Sequence, residues 1–337
     1  MTPLTIAIAL GAGCSGRTGE PPAARPGAEA AAEDGAAAED GAAAAPPEKE
    51  GASPGDKDIL LEDAGFATPE SVLYDKDRDR YLVSNINGSP TDKDGNGFIS
   101  VVLPSGKVEA PRWIDGADEG VPLDAPKGMA IMDGRLYVSD IDQVRVFRAA
   151  TGKHEYDIPI EGAGFLNDLA TGPNEVYVSD SGLDPSFNPS GTDAVYRIYK
   201  EGKPELVVAD PGLGRPNGLA TRGQKIWLVG FGGKELRILQ PDGTTVSTEE
   251  LPAGSLDGLV IRPDGSALIS SWESSSVYLR KASGEVETVL EGVSAPADIG
   301  WDSKRNRLLV PMFKDDKLWI RPLGPHNEAQ GEAEGSR

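Results

Sequence analysis

The chain has 337 residues, 38% hydrophobic and 26% charged, with one cysteine, two histidines and a net charge of −21. One cysteine excludes an intrachain disulfide framework and any cysteine-rich zinc or iron–sulfur centre, and two histidines exclude a three-histidine metal site. The charge argues against nucleic acid or an anionic membrane face as a partner, while the length allows one large domain or two ordinary ones.

Residues 4–13 form an apolar run well short of the ~20 residues that a bilayer-spanning helix needs. The run stops at the only cysteine, Cys14, followed by Ser15 and Gly16. A short apolar stretch ending in small residues and one cysteine reads as an export signal over residues 1–14. It is similar to bacterial lipoprotein signals, in which the cysteine is lipidated and becomes the new N-terminus. No basic residue precedes the run, and Gly11 stands three before Cys14, where such signals usually carry Leu. An uncleaved N-terminus with an incidental thiol is the alternative. The expected location is the periplasm or cell surface, with the lipid as the only attachment to a membrane.

Residues 15–57 are nearly all Ala, Gly, Pro, Glu and Asp, with no aromatic side chain. Such a segment buries too little apolar surface to offset its ordering entropy, so it is predicted to be a disordered linker. The tail, residues 325–337, has the same character. The linker carries −5 and the tail −2 of the −21, which leaves −14 on residues 58–324.

That body repeats every forty to fifty residues. Pro69-Glu70-Ser71-Val72 leads to Tyr81-Leu82-Val83-Ser84, and Pro126-Lys127-Gly128-Met129 leads to Tyr137-Val138-Ser139-Asp140. Leu166-Asn167-Asp168-Leu169, Pro216-Asn217-Gly218-Leu219, Leu256-Asp257-Gly258-Leu259 and Pro296-Ala297-Asp298-Ile299 open four more units of the same shape. Hairpins follow around Gly106, Gly152, Gly243 and Gly284. Short alternating strands with Gly-centred turns predict antiparallel sheet. Four strands in each of six repeats predict an all-β, six-bladed β-propeller over residues 58–324. The sixth repeat has only three strands, and the segment from Asp58 to Asp63 matches those that precede later repeats. The N-terminal strand is therefore expected to close the last blade and remove an open edge.

In a propeller the innermost strand of each blade lines the central channel, so equivalent positions converge on the axis. Those positions are Glu70, Lys127, Asn167, Asn217, Asp257 and Ala297, five of the six polar. Two carboxylates in a low-dielectric channel repel one another and lose hydration, and a bound cation is the simplest remedy. Oxygen ligands without imidazole or thiolate select a hard ion. Calcium fits, since it takes about six to eight oxygens, carboxamide and water included; another divalent ion would satisfy the same chemistry.

The pattern of Glu in the first repeat, Asn in the third and fourth and Asp in the fifth resembles the regucalcin/gluconolactonase family, and the related paraoxonases and diisopropylfluorophosphatase. Pro-Glu-Ser-Val, Asn167-Asp168, Arg215-Pro216-Asn217-Gly218-Leu219 and Leu256-Asp257-Gly258-Leu259 carry the match. The resemblance implies a calcium-dependent hydrolase of a lactone or related ester. It implies Glu70, Asn167, Asn217 and Asp257 as metal ligands, with Asp257 also as general base or nucleophile and Glu70 counted with it as a catalytic carboxylate. Lys127 and Asp168 are assigned to substrate, and the propeller is expected to act as a monomer.

Three positions depart from the family. Phe165 stands where sugar-lactone members carry a substrate-binding Arg, which points away from a sugar acid lactone. No histidine is expected near the channel, with His154 on a hairpin turn and His326 in the tail. Lys127 either grips an anionic substrate or salt-bridges Glu70 and replaces the ion. In that second case the molecule is a non-catalytic propeller that holds a partner or ligand over the same mouth.

Asp92-Lys93-Asp94-Gly95-Asn96-Gly97 begins like a calcium loop, but Leu103 occupies the twelfth position, so the bidentate carboxylate is missing; a hairpin turn of the first blade overhanging the mouth is predicted, with a weak structural calcium site as the alternative. Residues 181–193 are a turn-rich insertion of the kind that shapes pockets. The tryptophans are expected between blades, with Phe231 and Trp272 as candidates to face the mouth and stack on an apolar substrate. The serine-rich run 270–276 lacks a histidine partner, which argues against a serine triad.

Overall fold

The computed structural model describes residues 57–324 except Glu201. The export signal with Cys14, the linker up to residue 56 and the tail from residue 325 lie outside the described residues. Those described form 24 strands in six four-stranded sheets, with one 3-10 turn at Pro211–Leu213. This is the expected all-β six-bladed propeller. The inner strands are Pro69–Asp75, Pro126–Met132, Leu166–Thr171, Pro216–Arg222, Leu256–Ile261 and Gly300–Asp302. Each packs against the inner strands of both neighbouring blades, which closes the ring.

Hydrophobic patterning builds the core between blades. Six apolar clusters each draw from two adjacent blades, for example Val176 and Val178 of blade 3 against Val144 and Val146 of blade 2. Blade-to-blade burial of this kind is what lets short strands with only one wet edge remain stable. Gly106, Gly152, Gly243 and Gly284 occupy the hairpins into the outer strands with φ between 72° and 93°, a region that only glycine enters without steric cost.

Closure occurs twice. The strand Ile59–Leu61 adds to the outside of blade 6, with Ile59 opposite Ile320 and Leu61 opposite Leu318. On the axis, Ser71 and Asp298 pair in parallel. There the Asp298 amide donates to the Glu70 carbonyl at 2.9 Å and the Val72 amide to the Asp298 carbonyl at 3.2 Å. The second seal places the start of blade 1 against the start of blade 6, and so fixes Glu70 on the ring.

Candidate functional site

Each of the first five inner strands breaks register against its neighbour at the same place. The skips fall between Pro69 and Ser71, Pro126 and Met129, Leu166 and Leu169, Pro216 and Leu219, and Leu256 and Leu259. Glu70, Lys127, Asn167, Asn217 and Asp257 all lie within them. A bulge frees a residue from the ladder and re-aims its side chain, which is why bulges gather at sites of chemistry.

The bulges are held by serines near the ends of the second strands. Ser179 Oγ accepts from the Asp168 amide at 3.0 Å and donates to the Asn217 carbonyl of the next blade at 2.7 Å. Ser270 Oγ accepts from the Gly258 amide and donates to the Ala297 carbonyl, and Ser139 Oγ donates to the Asn167 carbonyl. The recurring Val-Ser-Asp and Val-Ser-Asn phrases therefore set the ring from outside it, a role not assigned from sequence. The aspartates that follow, Asp140 and Asp180, accept from the two amides just ahead of their own inner strands. Glycine after Asn217 and Asp257 admits the neighbouring strand, since a Cβ at Gly218 would lie 2.2 Å from the Asp257 carbonyl oxygen. Ser179→Ala should leave two buried backbone groups without partners and cost about 1–3 kcal/mol in chemical denaturation. An unchanged midpoint would show that the clasp is idle.

Glu70, Asn167, Asn217 and Asp257 are 3–5% exposed. Glu70 Oε2 and the Oδ1 atoms of Asn167, Asn217 and Asp257 are buried with no hydrogen-bond partner. Unpaired buried polar atoms are uncommon and costly, and here four of them belong to the four oxygen-bearing ring positions. The Asn167 amide is locked by Nδ2 donating to Ser181 Oγ at 3.2 Å, while that hydroxyl donates to the Pro216 carbonyl. The lock leaves Oδ1 as the open end. Among the described residues no group of three or more His, Cys, Asp or Glu could hold a metal ion; the ring offers two carboxylates and two carboxamides instead.

Electrostatics follow from this burial. The Glu70 carboxyl is held well above the usual range by burial and then by Asp257 and Asp298, with Lys127 opposing. Burial and Asp298 also raise Asp257. Asp298, which sequence reasoning left out of the site, is pushed up to about 7 by burial, with Ser71 Oγ donating to it as partial relief. A pocket with several carboxyls disfavouring charge is poised for a cation.

Lys127 does not bridge the carboxylates. Its ammonium donates to the carbonyls of Pro90 at 3.0 Å and Ala125 at 3.2 Å and lies 4.6 Å from the Phe165 ring centroid. No ion pair within 4.0 Å joins it to Glu70 or Asp257, so the arrangement in which the amine takes the place of an ion is not the one found. Asp168 uses both carboxylate oxygens on backbone, accepting from Leu169 and Leu219 at 2.6 Å each. It ties blade 3 to blade 4, with each carboxylate oxygen engaged by a backbone amide. His154 begins the outer strand His154–Pro159 of blade 2, not a turn, and pairs with Asp157. His326 lies outside the described residues.

The mouth is uneven. Over blades 1 to 3 the loop at 86–97 and the insertion at 181–193 meet, with Thr91 Oγ1 donating to the Pro185 carbonyl and Lys93 pairing with Asp142. In the first of these loops Asn96 Nδ2 donates to Asp94 within the turn, while the Gly95 amide donates to Asp124, 29 residues on and just ahead of the inner strand of blade 2. Over blades 4 to 6 the loops are short and carry Phe231, Trp272 and Phe313. Trp272 meets Phe231 edge-on at 5.2 Å and Phe313 at 5.1 Å. Trp113, Trp227, Trp301 and Trp319 pack between blades as expected. Thr68, Arg215, Ser255 and Ala295, just ahead of the Pro69, Pro216, Leu256 and Pro296 positions, have φ of 44–57°. For non-glycine residues, and for β-branched Thr68 most of all, this is strained backbone beside the site. The carbonyl of each accepts from the first residue after the second strand. Ser270 and Ser271 donate to backbone carbonyls, so the serine-rich run is structural. Two surface clefts of about 650 and 610 Å³ lie beside blades 2 and 3, and neither is lined by a ring residue.

No family model and no curated protein matches the chain. Among solved structures, virginiamycin B lyase from Staphylococcus aureus is 14% identical with a TM-score of 0.56, covering 79% of this chain and 99% of that one. A putative gluconolactonase is 16% identical with a TM-score of 0.59, over 80% and 94%. The gluconolactonase of Xanthomonas campestris is 20% identical with a TM-score of 0.60, over 78% and 89%. The chain thus shares its six-bladed fold with gluconolactonases, and at this identity the likeness is one of fold.

Proposed function

We propose that the propeller is a divalent-cation-dependent hydrolase of a lactone or related ester, with calcium as the ion held at the ring. The observation that carries this reading is the set of four unpartnered, buried oxygens on Glu70, Asn167, Asn217 and Asp257. Two carboxylates match the charge of a divalent cation, and two carboxamides add neutral oxygens suited to a hard ion. When bound, such an ion supplies a Lewis acid that polarises a carbonyl and steadies the developing oxyanion.

The chain's own groups do the rest. Ser181 fixes the face that Asn167 presents, and the bulges fix the ring against the inner strands. Asp257 supplies the base or nucleophile. Phe231, Trp272 and Phe313 offer an apolar wall for the organic part of the substrate, which together with Phe165 favours aryl or alkyl lactones and esters over sugar acids.

Isothermal titration of calcium into the folded protein tests the claim. One site is expected, with a Kd between about 10⁻⁷ and 10⁻³ M. Asp257→Ala should weaken it by at least ~100-fold, beyond the 10–100-fold typical when an outer-shell partner of a metal is lost. A silent wild-type titration would refute the metal site. Aliphatic lactones, an aryl ester and a phosphotriester form the activity panel; binding without calcium-dependent turnover would leave a ligand-holding propeller in place of the enzyme.

A further inference from the structure

Lys127 occupies a ring position, yet its head group is tied to the mouth loops. The residue is 1% exposed, and its ammonium donates to the Pro90 and Ala125 carbonyls at 3.0 and 3.2 Å. Ala125 packs with Ile86 and Ile141 in a small dry cluster. From the amine a circuit of contacts runs through both loops. Pro90 belongs to the loop at 86–97, and the next residue, Thr91, donates to the Pro185 carbonyl of the insertion at 3.5 Å. Two residues on, Phe187 meets Phe165 edge-on at 6.2 Å, and the Phe165 ring centroid lies 4.6 Å from Lys127 Nζ. The insertion is bonded within itself. Asp184 accepts from the Ser186 and Asn188 amides, and the Ser190 amide donates to the Gly182 carbonyl. Its tip, Phe187, is 39% exposed with φ of 61°, a strained setting for an aromatic residue.

Burying an ammonium is costly, and an apolar side chain of equal length would fill the same space more cheaply, so the charge marks a task. The Lys93–Asp142 pair also holds the first loop, but it is exposed, and such pairs contribute little. The buried amine is therefore the stronger hold. We propose that Lys127 is the latch of a two-loop cover over blades 1 to 3, and that this cover sets the size of the ester that reaches the ring. The ammonium fixes the loop at 86–97 through Pro90 and fixes Phe165, on which the tip of the insertion rests. With the cover down, the way to the ring oxygens runs past Phe231, Trp272 and Phe313, where the loops are short. Small acyl groups pass, and bulky ones meet the cover. Lys127 is then a positioning residue that serves the loops and not an anionic group of the substrate, and Phe187 determines specificity. The size preference rests on the hydrolase reading above; the latch itself does not.

Lys127→Met keeps the length of the side chain and removes its charge and donors. Proteinase K should nick the intact variant within residues 183–191 about tenfold faster or more, because cleavage follows the open population and a charge-assisted hydrogen bond is lost. Phenyl acetate and phenyl pivalate are neutral probes that differ in acyl bulk. The kcat/KM for the pivalate relative to the acetate should rise about 10-fold, the discrimination that a methylene or two brings in an apolar pocket. Phe187→Ala removes only the tip and touches no buried charge, and it should raise both the nicking rate and the same ratio. The double variant should go no further than the larger single effect, since both act on one cover. Unchanged nicking in Lys127→Met would overturn the latch. A rise in KM for both esters at a constant ratio would overturn it as well, since that is the mark of a substrate grip. If Lys127→Met folds poorly, Phe187→Ala decides by the same two readings. Absence of any calcium-dependent hydrolysis in the wild type would defeat the hydrolase reading and the size preference with it, and nicking alone would then judge the latch.

Discussion

Asp257→Asn should make the calcium-free protein more stable and at the same time abolish its stabilisation by calcium. The wild-type carboxyl is 3% exposed, with Oδ1 unpartnered, and burial together with Asp298 disfavours its charge. At neutral pH it must either ionise against its neighbours or take up a proton, and both cost free energy relative to a neutral amide of the same shape. Removing one of several like-charged buried carboxyls removes that cost, worth roughly 1.4 kcal/mol for each tenfold displacement of its proton affinity. The melting temperature should rise accordingly, by roughly 2–4 °C per kcal/mol for a domain near this size. Calcium at about 100 times its Kd should stabilise the wild type by ~2.7 kcal/mol and the variant hardly at all. Thermal melts in EGTA and in calcium read both effects. A variant that melts lower in EGTA yet responds normally to calcium would remove Asp257 from the ion's ligands and the cost from its carboxyl.

The calcium-free protein should lose stability as pH rises from about 4 to about 7, and calcium should flatten that decline. Glu70, Asp168, Asp257 and Asp298 all hold their protons more tightly when folded than their ordinary values of 4.5 and 3.8 allow, first because of burial. The folded state therefore binds more protons than the unfolded one across this window. The stability that these protonated groups contribute is full below the unfolded values and is lost as pH climbs through the folded ones. Asp298, at about 7, carries the loss through neutral pH, and Glu70, Asp168 and Asp257, all raised well above their ordinary values, act in the same direction. Each tenfold change in proton affinity is worth roughly 1.4 kcal/mol, so the decline should amount to a few kcal/mol. Asp79 works in the opposite sense. Its hydrogen bonds with Arg305 and Lys304 hold its carboxyl far below the usual range, and the stability they bring fades only below the window. A cation needs ionised oxygens, so its affinity should climb as the calcium-free stability falls. Melting temperatures at half-unit pH steps, with EGTA and with calcium, measure the difference. Parallel curves would mean that the ring carboxyls are not what the ion engages.

Much of this was legible before any coordinates. Six recurrences of one phrase required one supersecondary unit copied six times, and glycine at the hairpins followed from a backbone that only glycine adopts cheaply. The closing strand was readable because Asp58-Ile59-Leu60-Leu61 matches the outer-strand segments of other repeats and blade 6 lacks one. The ring positions could be numbered because equivalent residues of a closed repeat must meet near one axis.

Direction of side chains was another matter. Lys127 shares the ring register with Glu70 and Asn167, yet its ammonium turns to the Pro90 carbonyl, 37 residues away on a loop of another blade. Asp168 reads as a second site carboxylate, but the Leu219 amide, 51 residues on, takes one of its oxygens. Asp298 stayed hidden because its neighbour Ala297 breaks the polar pattern, and only closure sets it beside Glu70. The aromatic wall joins Phe231, Trp272 and Phe313 from three blades. Periodicity determined the backbone, since turn chemistry and strand alternation act over a few residues. Packing between distant segments decided which polar atoms were satisfied and which were left open, because a hydrogen-bond partner is chosen by proximity in space.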